Sequence, residues 1–386
     1  TAGVLLWDAT HQHFSAEGIS EPSAAAGADG WLASYEIIDE GNISVTLWNL
    51  STEESYQRSI ALWTTWGIHP IEILVGESHI VVWHGHQLEF FNLSTNQWEG
   101  QWVDSQSFDD IAMLSNEDNT WPRMVMLNQG NIEIRAREAM NATPLPSSPS
   151  SPVSLIAADA NSVAYVEANE PTTVHVQTIG GMERYLSIEI DASIDDPRDE
   201  QVQSMTDTVV DYENAIISEI ALDEDYLVVL LNLSSVDRLV MVDLVSGEQR
   251  ILGDPVFPVA APSIGHGHVA WQQKQFLISN DPNPEYMDWE VDFHIIADNR
   301  SYPLHAPDDI DQLDPQVMED HIAWRQLDGD GNPEIRIYTI EVVLEPYSSN
   351  LLQFFVLLLP LLLVMWVGQR LKENDGRLMA RSDEEE

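Results

Sequence analysis

Asp328, Asp330, Asn332 and Glu334 place four oxygen-bearing side chains at alternate positions around Gly329 and Gly331. Calcium takes about six to eight oxygen ligands at roughly 2.3–2.6 Å, and an Asp-x-Asp-x-Asn loop supplies them compactly. The stretch is not an EF-hand, because no Glu closes a twelve-residue loop and no helices flank it. Asp, Gly and Asn are also the ordinary residues of a hairpin turn. Calcium at these four residues is therefore an expectation that competes with a plain turn. Histidine recurs as His-Gly-His at 84–86 and 266–268. Imidazole pairs can bind zinc, but the two pairs fall at opposite ends of the repeat described below, so each reads as a turn.

Asn-x-Ser/Thr sequons stand at Asn42, Asn49, Asn92, Asn141, Asn232 and Asn299. All fall in expected turns or strand ends, where an oligosaccharide could be carried. Asn49-Leu-Ser-Thr and Asn92-Leu-Ser-Thr have a second reading, as the turn the repeat prefers. No catalytic residues are assigned: there is no Gly-x-Ser-x-Gly elbow, His-Glu-x-x-His, phosphate loop or dinucleotide fingerprint. Cysteine is absent, which removes disulfides, thiolate metal sites and a cysteine nucleophile. A glycosidase needs two carboxylates, but among 64 Asp plus Glu a pair found by chance carries no weight. The 13 tryptophans could stack on sugars, yet Trp83, Trp271 and Trp324 share one repeat position and read as core.

The elements that position these residues come from a repeat filling residues 20–343. Each unit has an apolar strand ending in a bulky residue, a polar turn, an alternating strand and another turn. Trp31-Leu-Ala-Ser-Tyr35, Ile80-Val-Val-Trp83, Met124-Val-Met126, Val163-Ala-Tyr165, Leu227-Val-Val-Leu230, Val269-Ala-Trp271 and Ile322-Ala-Trp324 are the first strands. Their partners run from Ile43-Ser-Val-Thr-Leu-Trp48 to Ile335-Arg-Ile-Tyr338. The bulky position recurs every 39 to 65 residues, with three of the six intervals in the forties, which is the length of a four-stranded propeller blade.

The fold class expected is all-β: a β-propeller of seven blades, with eight as the alternative, and one C-terminal transmembrane helix. Val4-Leu-Leu-Trp-Asp-Ala-Thr-His11 resembles the segment from Val45 to Thr52. It is expected either to complete the last blade by pairing both chain ends or to begin an eighth. The chain opens on Thr1, so an upstream segment is expected. The acidic stretch 190–214 reads as an insertion between blades, and TPLPSSPSSP at 143–152 as a loop replacing an outer strand of blade three.

Asp314 to Trp324, followed by Asp328-Gly-Asp-Gly-Asn-Pro-Glu-Ile-Arg-Ile-Tyr338, resembles the TolB-like and WD40-like propeller repeats of surface proteins, as does Met241-Val-Asp-Leu-Val-Ser-Gly247. The resemblance covers about 85 per cent of the chain and implies a fold rather than an activity. No Gly-His…Trp-Asp signature accompanies it.

Leu351 to Gly368 is an uncharged run of 18 residues, long enough as a helix to nearly match a bilayer core of about 30 Å. Arg370, Lys372, Arg377 and Arg381 follow it, placing the C-terminus in the cytoplasm and the rest of the chain outside. The expected layout is an ectodomain at 1–343, a linker at 344–350, the membrane helix at 351–368 and a cytoplasmic tail at 369–386. A net charge of −48 excludes nucleic-acid binding as the main activity. It fits a solvated surface adapted to salt, as in a halophilic microbe or archaeon, or a recruiter of cations and basic partners. The function expected is a membrane-anchored surface module binding a protein or glycan partner. An extracytoplasmic hydrolase or a surface-layer component is the alternative.

Overall fold

The computed structural model describes residues 5–6, 12–14, 25–28, 30–39, 41–61, 71–76, 78–84, 87–103, 108–114, 121–136, 143, 145–179, 184–191, 214–233, 236–254, 257–276, 287–304, 310–318, 321–327, 333–340 and 342–343. The chain divides into two compact units, Thr10–Thr339 and a unit combining Thr1–Ala9 with Ile340–Glu386. In the latter, β1 (Leu5–Leu6) pairs antiparallel with β29 (Val342–Val343).

Thr10–Thr339 is a seven-bladed β-propeller. After β2 (Gln12–Phe14), blade 1 comprises β3 to β6 (Ala25–Ala28, Trp31–Asp39, Asn42–Asn49, Glu54–Ala61), and blade 2 comprises β7 to β10 (Ile71–Val75, His79–His84, Gln87–Asn92, Gln97–Val103). Blade 3 has three strands among the described residues, β11 to β13 (Asp110–Leu114, Arg123–Asn128, Asn131–Ala136). Blade 4 is β14 to β17 (Val153–Asp159, Ser162–Glu167, Thr173–Thr178, Tyr185–Glu189), and blade 5 is β18 to β21 (Ile216–Asp223, Tyr226–Asn232, Asp237–Asp243, Gln249–Leu252). Blade 6 is β22 to β25 (Val259–Gly265, His268–Phe276, Met287–Ile295, Arg300–Pro303). Blade 7 is β26 to β28 (Leu313–Val317, His321–Leu327, Pro333–Thr339), and its outer strand is β2, with Gln12 opposite Ile337 and Phe14 opposite Ile335. The ring closes by pairing both ends of the propeller sequence, so seven blades suffice.

The second strand of each blade lies between two neighbouring strands and two neighbouring blades, which is why it reads as an unbroken apolar run. Residues 79–84 are buried throughout. Trp83, Tyr165, Trp271 and Trp324 are at most 2% exposed, as the core reading of the aromatic position requires. Apolar clusters fill the spaces between successive blades: Ile43, Val45 and Ile60 meet Ile73, Ile80 and Phe91, while Val174 and Val176 meet Leu227 and Val229. Burying each such side chain stabilises the fold by roughly 1.5–3 kcal/mol.

In blade 3, Thr143 makes a single bridge to Ile134, and the Pro/Ser stretch then runs to blade 4. There Gln177 holds Ser147 through both main-chain groups, and Glu167 receives Ser150 and Ser151. Gly130, at φ +78°, closes the β12–β13 turn where Pro152 packs so tightly that a side chain would collide with it. Residues 192–213 of the acidic stretch and the run 351–368 lie outside the described residues. Among the described residues no helix is long and apolar enough to cross a membrane.

Candidate functional site

The innermost strand of each blade faces the ring's axis, and the described residues of those of blades 2 to 7 line a cavity of about 640 Å³. Apolar side chains of these strands, such as Ile73 and Ile156, turn into the core. What is left for the axis is strongly acidic: Glu72, Asp110, Asp159, Glu219 and Asp314 line it, and no lysine, arginine or histidine is among the described lining residues.

Hydrogen bonds tie these strands to the next blade at matched levels. Asp110 accepts the N–H groups of Ile111 and Ile156, and Glu219 accepts that of Ala261. Asp159 accepts Glu224 N–H at 2.8 Å, and Asp223 accepts Gly267 N–H. From blade 6 to blade 7, Gln272 Oε1 accepts Asp314 N–H at 3.0 Å and Ser263 Oγ accepts Val317 N–H at 3.0 Å. The innermost strands of blades 4 to 7 each carry a bulge near their start, and in blades 6 and 7 an amide within it, that of Ala261 or Asp314, is bonded to the preceding blade. Ala261 and Asp314 sit in two of these bulges with φ of 48° and 51°, a strained region for non-glycine residues.

The carboxylates feel this setting. Burial, with the Asp110 charge added, pushes Glu72 up to about 7. Burial likewise raises Asp110 to about 6, against the two amides that favour its ionised form. Burial and the neighbouring Asp159 raise Asp223 to about 6. Asp159 is raised by burial, and Glu219 by burial with Asp237 and Asp314 nearby. Asp314 is paired with Arg325. Raised carboxylates facing a polar cavity suit two tasks: holding positive charge, or passing protons.

The residues singled out in the sequence lie elsewhere. Asp328, Asp330 and Asn332 fall between β27 and β28, outside the described residues, as does the side chain of Glu334. Among the described residues no group of three or more potential ligands gathers as a metal site. His84 ends β8, whereas His266 and Gly267 form the β22–β23 turn beside Asp159 and Asp223, so the two His-Gly-His pairs are at opposite blade ends.

Of the sequons, Asn141 lies outside the described residues and Asn42 is half-buried at the start of β5. Asn49 Oδ1 accepts the N–H groups of Ser51 and Thr52 at 3.0 and 3.1 Å. Asn92 does the same for Ser94 and Thr95, and its Nδ2 donates to Glu99 at 2.8 Å. Asp243 occupies the equivalent turn of blade 5 and accepts Val245 and Ser246 in the same way. The turn needs a side-chain oxygen at that position, whether amide or carboxylate. Asn232 and Asn299 are exposed, and Asn299 accepts a hydrogen bond from Arg250.

Among 64 carboxylates the channel acids do not stand out by type or number. A signal existed: Glu72 pairs across the strands with Trp83, and Glu219 with Leu230. In these two blades the residue opposite the repeat's bulky position lines the cavity, whereas Ile156, opposite Tyr165, turns into the core.

The fold is shared with solved propellers. The β-propeller domain of Cps50 (Swd1) from Myceliophteria thermophila matches with a TM-score of 0.53 at 11% identity, over 86% of this chain and 99% of that one. The β-propeller domain of the Trilobed protease from Pyrococcus furiosus, with an open velcro topology, matches at 0.52 and 11% identity, over 83% and 95%. No family model and no curated protein matches the chain. At such identities the likeness establishes the propeller and nothing finer.

Proposed function

We propose that the chain is the outward-facing binding module of a single-pass surface protein, and that its partner is a basic protein segment. The observation that carries this is the axial cavity, lined by five carboxylates and no described basic side chain. Low-dielectric walls of one charge sign focus the field and raise the local concentration of cations. A ring of blades holds such a surface rigid while its loops vary. The uncharged run at 351–368 with its four basic followers supplies the anchor in this reading. Glycan partners would make no use of the charge.

Two measurements test it. Protease added to intact cells should remove the propeller and leave residues 369–386 protected; loss of that tail instead would reverse the orientation. A Lys/Arg-rich peptide should bind the full chain, and Glu72→Gln with Glu219→Gln should weaken it by about three- to tenfold. Unchanged affinity would remove the channel from the binding surface. A hydrolase is favoured only by the raised Glu72 and Asp110 pair. Two main-chain amides already occupy Asp110, which suits a structural role better than catalysis.

A further inference from the structure

A second cavity, of about 330 Å³, lies in blade 6, where the connection after β21 meets β23, β24 and β25. We propose that it receives one lysine ammonium group from the partner, an inference that rests on the basic-partner reading and gives it a docking point. Ligand pockets begin at about 300 Å³, so this one suits a single side chain rather than a whole small molecule.

Its lining fits that group. Asp254 and Asp292 are its carboxylates, and no described basic residue lines it. Phe257 and Tyr302 add aromatic surface for an alkyl stem and a cation. The Tyr302 hydroxyl is buried without a hydrogen-bond partner among the described residues, an acceptor that a donor ligand would satisfy. An ammonium brings three donors and no acceptor, matching two carboxylates and a phenol oxygen.

The site is also braced. Gln273 accepts Asp254 N–H at 3.0 Å and donates to Asp254 C=O at 2.6 Å, pinning the connection. Gln275 Nε2 donates to Asp292 Oδ1 at 2.9 Å, the one hydrogen bond described for that carboxyl. Burial, opposed by Gln275 and reinforced by the Asp254 charge, pushes Asp292 up to about 7. An incoming cation would draw it back to the ionised form.

The probe is an unstructured peptide of alternating lysine and serine, with an ε-acetylated copy as control, titrated onto the full chain. The free-amine peptide should bind and the acetylated one should not. Asp292→Asn, close to isosteric, should weaken binding about tenfold, and Tyr302→Phe about threefold. Affinity should rise between about pH 6 and pH 8 in the wild type, as Asp292 and the channel's Glu72 ionise. Asp292→Asn should reduce that rise, and combining it with the Glu72/Glu219 double variant should reduce it further than the double variant alone. Peptide that fails to bind the wild type would overturn both the basic-partner reading and this site. Equal binding to wild type, Asp292→Asn and Tyr302→Phe, with loss only in the Glu72/Glu219 double variant, would overturn the blade 6 site and leave the channel reading standing.

Discussion

Glu167 in blade 4 and Asp292 in blade 6 are both carboxylates set inside the sheets, and they behave in opposite ways. Burial works against the ionised form of Glu167, which is only 3% exposed. Yet Ser150 N–H at 3.0 Å, Ser150 Oγ at 2.5 Å and Ser151 N–H at 2.9 Å, with His175 at 3.9 Å, hold it below the usual range. Asp292 has a single amide donor and rises to about 7. Burial opposes the charge on both groups: three donors outweigh it at Glu167 and a single donor does not at Asp292. Burial and donor supply together separate a carboxylate that builds the fold from one left for a ligand.

The largest expected effect removes the better-served group. Glu167→Ala would strand two main-chain amides of the Pro/Ser stretch and a hydroxyl, at a cost of about 3 kcal/mol. Denaturant titration of the propeller checks this. A loss below about 0.5 kcal/mol would mean that water replaces the carboxylate and that the stretch is not held by it.

A smaller effect, of opposite sign with pH, belongs to Asp292. Its folded-state value lies above that of an unfolded chain, so the folded protein binds the extra proton. Its stabilising share is present below about pH 4 and is lost as pH rises through about 7. Glu167 runs the other way: its value is lowered, so its share is present above about pH 4.5 and is lost as pH falls through its folded value. Asp292→Asn should therefore be more stable than wild type by on the order of 2 kcal/mol at about pH 8, with the difference gone near pH 4. A constant difference across that range would show that Asp292 titrates normally, and the contrast with Glu167 would collapse.

Legibility in the sequence followed the same physics. All seven second strands and their partners were readable, because burial on both faces of Ile80–Trp83 or Leu227–Leu230 demands apolar residues. The ring closure was readable in outline from the likeness of the N-terminal segment to a blade strand, although Gln12–Phe14 makes the pairing. The innermost strands left no periodic mark. They face a polar cavity, carry Glu72, Asp110 and Glu219, and are bulged in four blades, which breaks the alternation that identifies a strand. The blade 6 site was equally hidden, since Asp254, Asp292 and Tyr302 come from three separate elements and meet only in the folded blade.

The smallest expected effect asks whether the role of donor supply extends to the surface turns. Asn49, Asn92 and Asp243 each present one oxygen to two successive amides, in turns open to solvent. Asn49→Ala removes that acceptor but leaves its donors to water, so it should cost about 1 kcal/mol. Asn49→Asp keeps the oxygen and removes the sequon, and its melting temperature should stay near that of the wild type. Asn92→Asp has the same new oxygen but replaces an amide donor to Glu99 with a second carboxylate in a site only 9% exposed. It should be less stable than Asn49→Asp by about 1 kcal/mol or more at neutral pH, and recover as the solution is acidified. Equal melting of the two Asp variants at neutral pH would mean that the Asn92 to Glu99 contact contributes nothing, and that both sequons are held only by their turns.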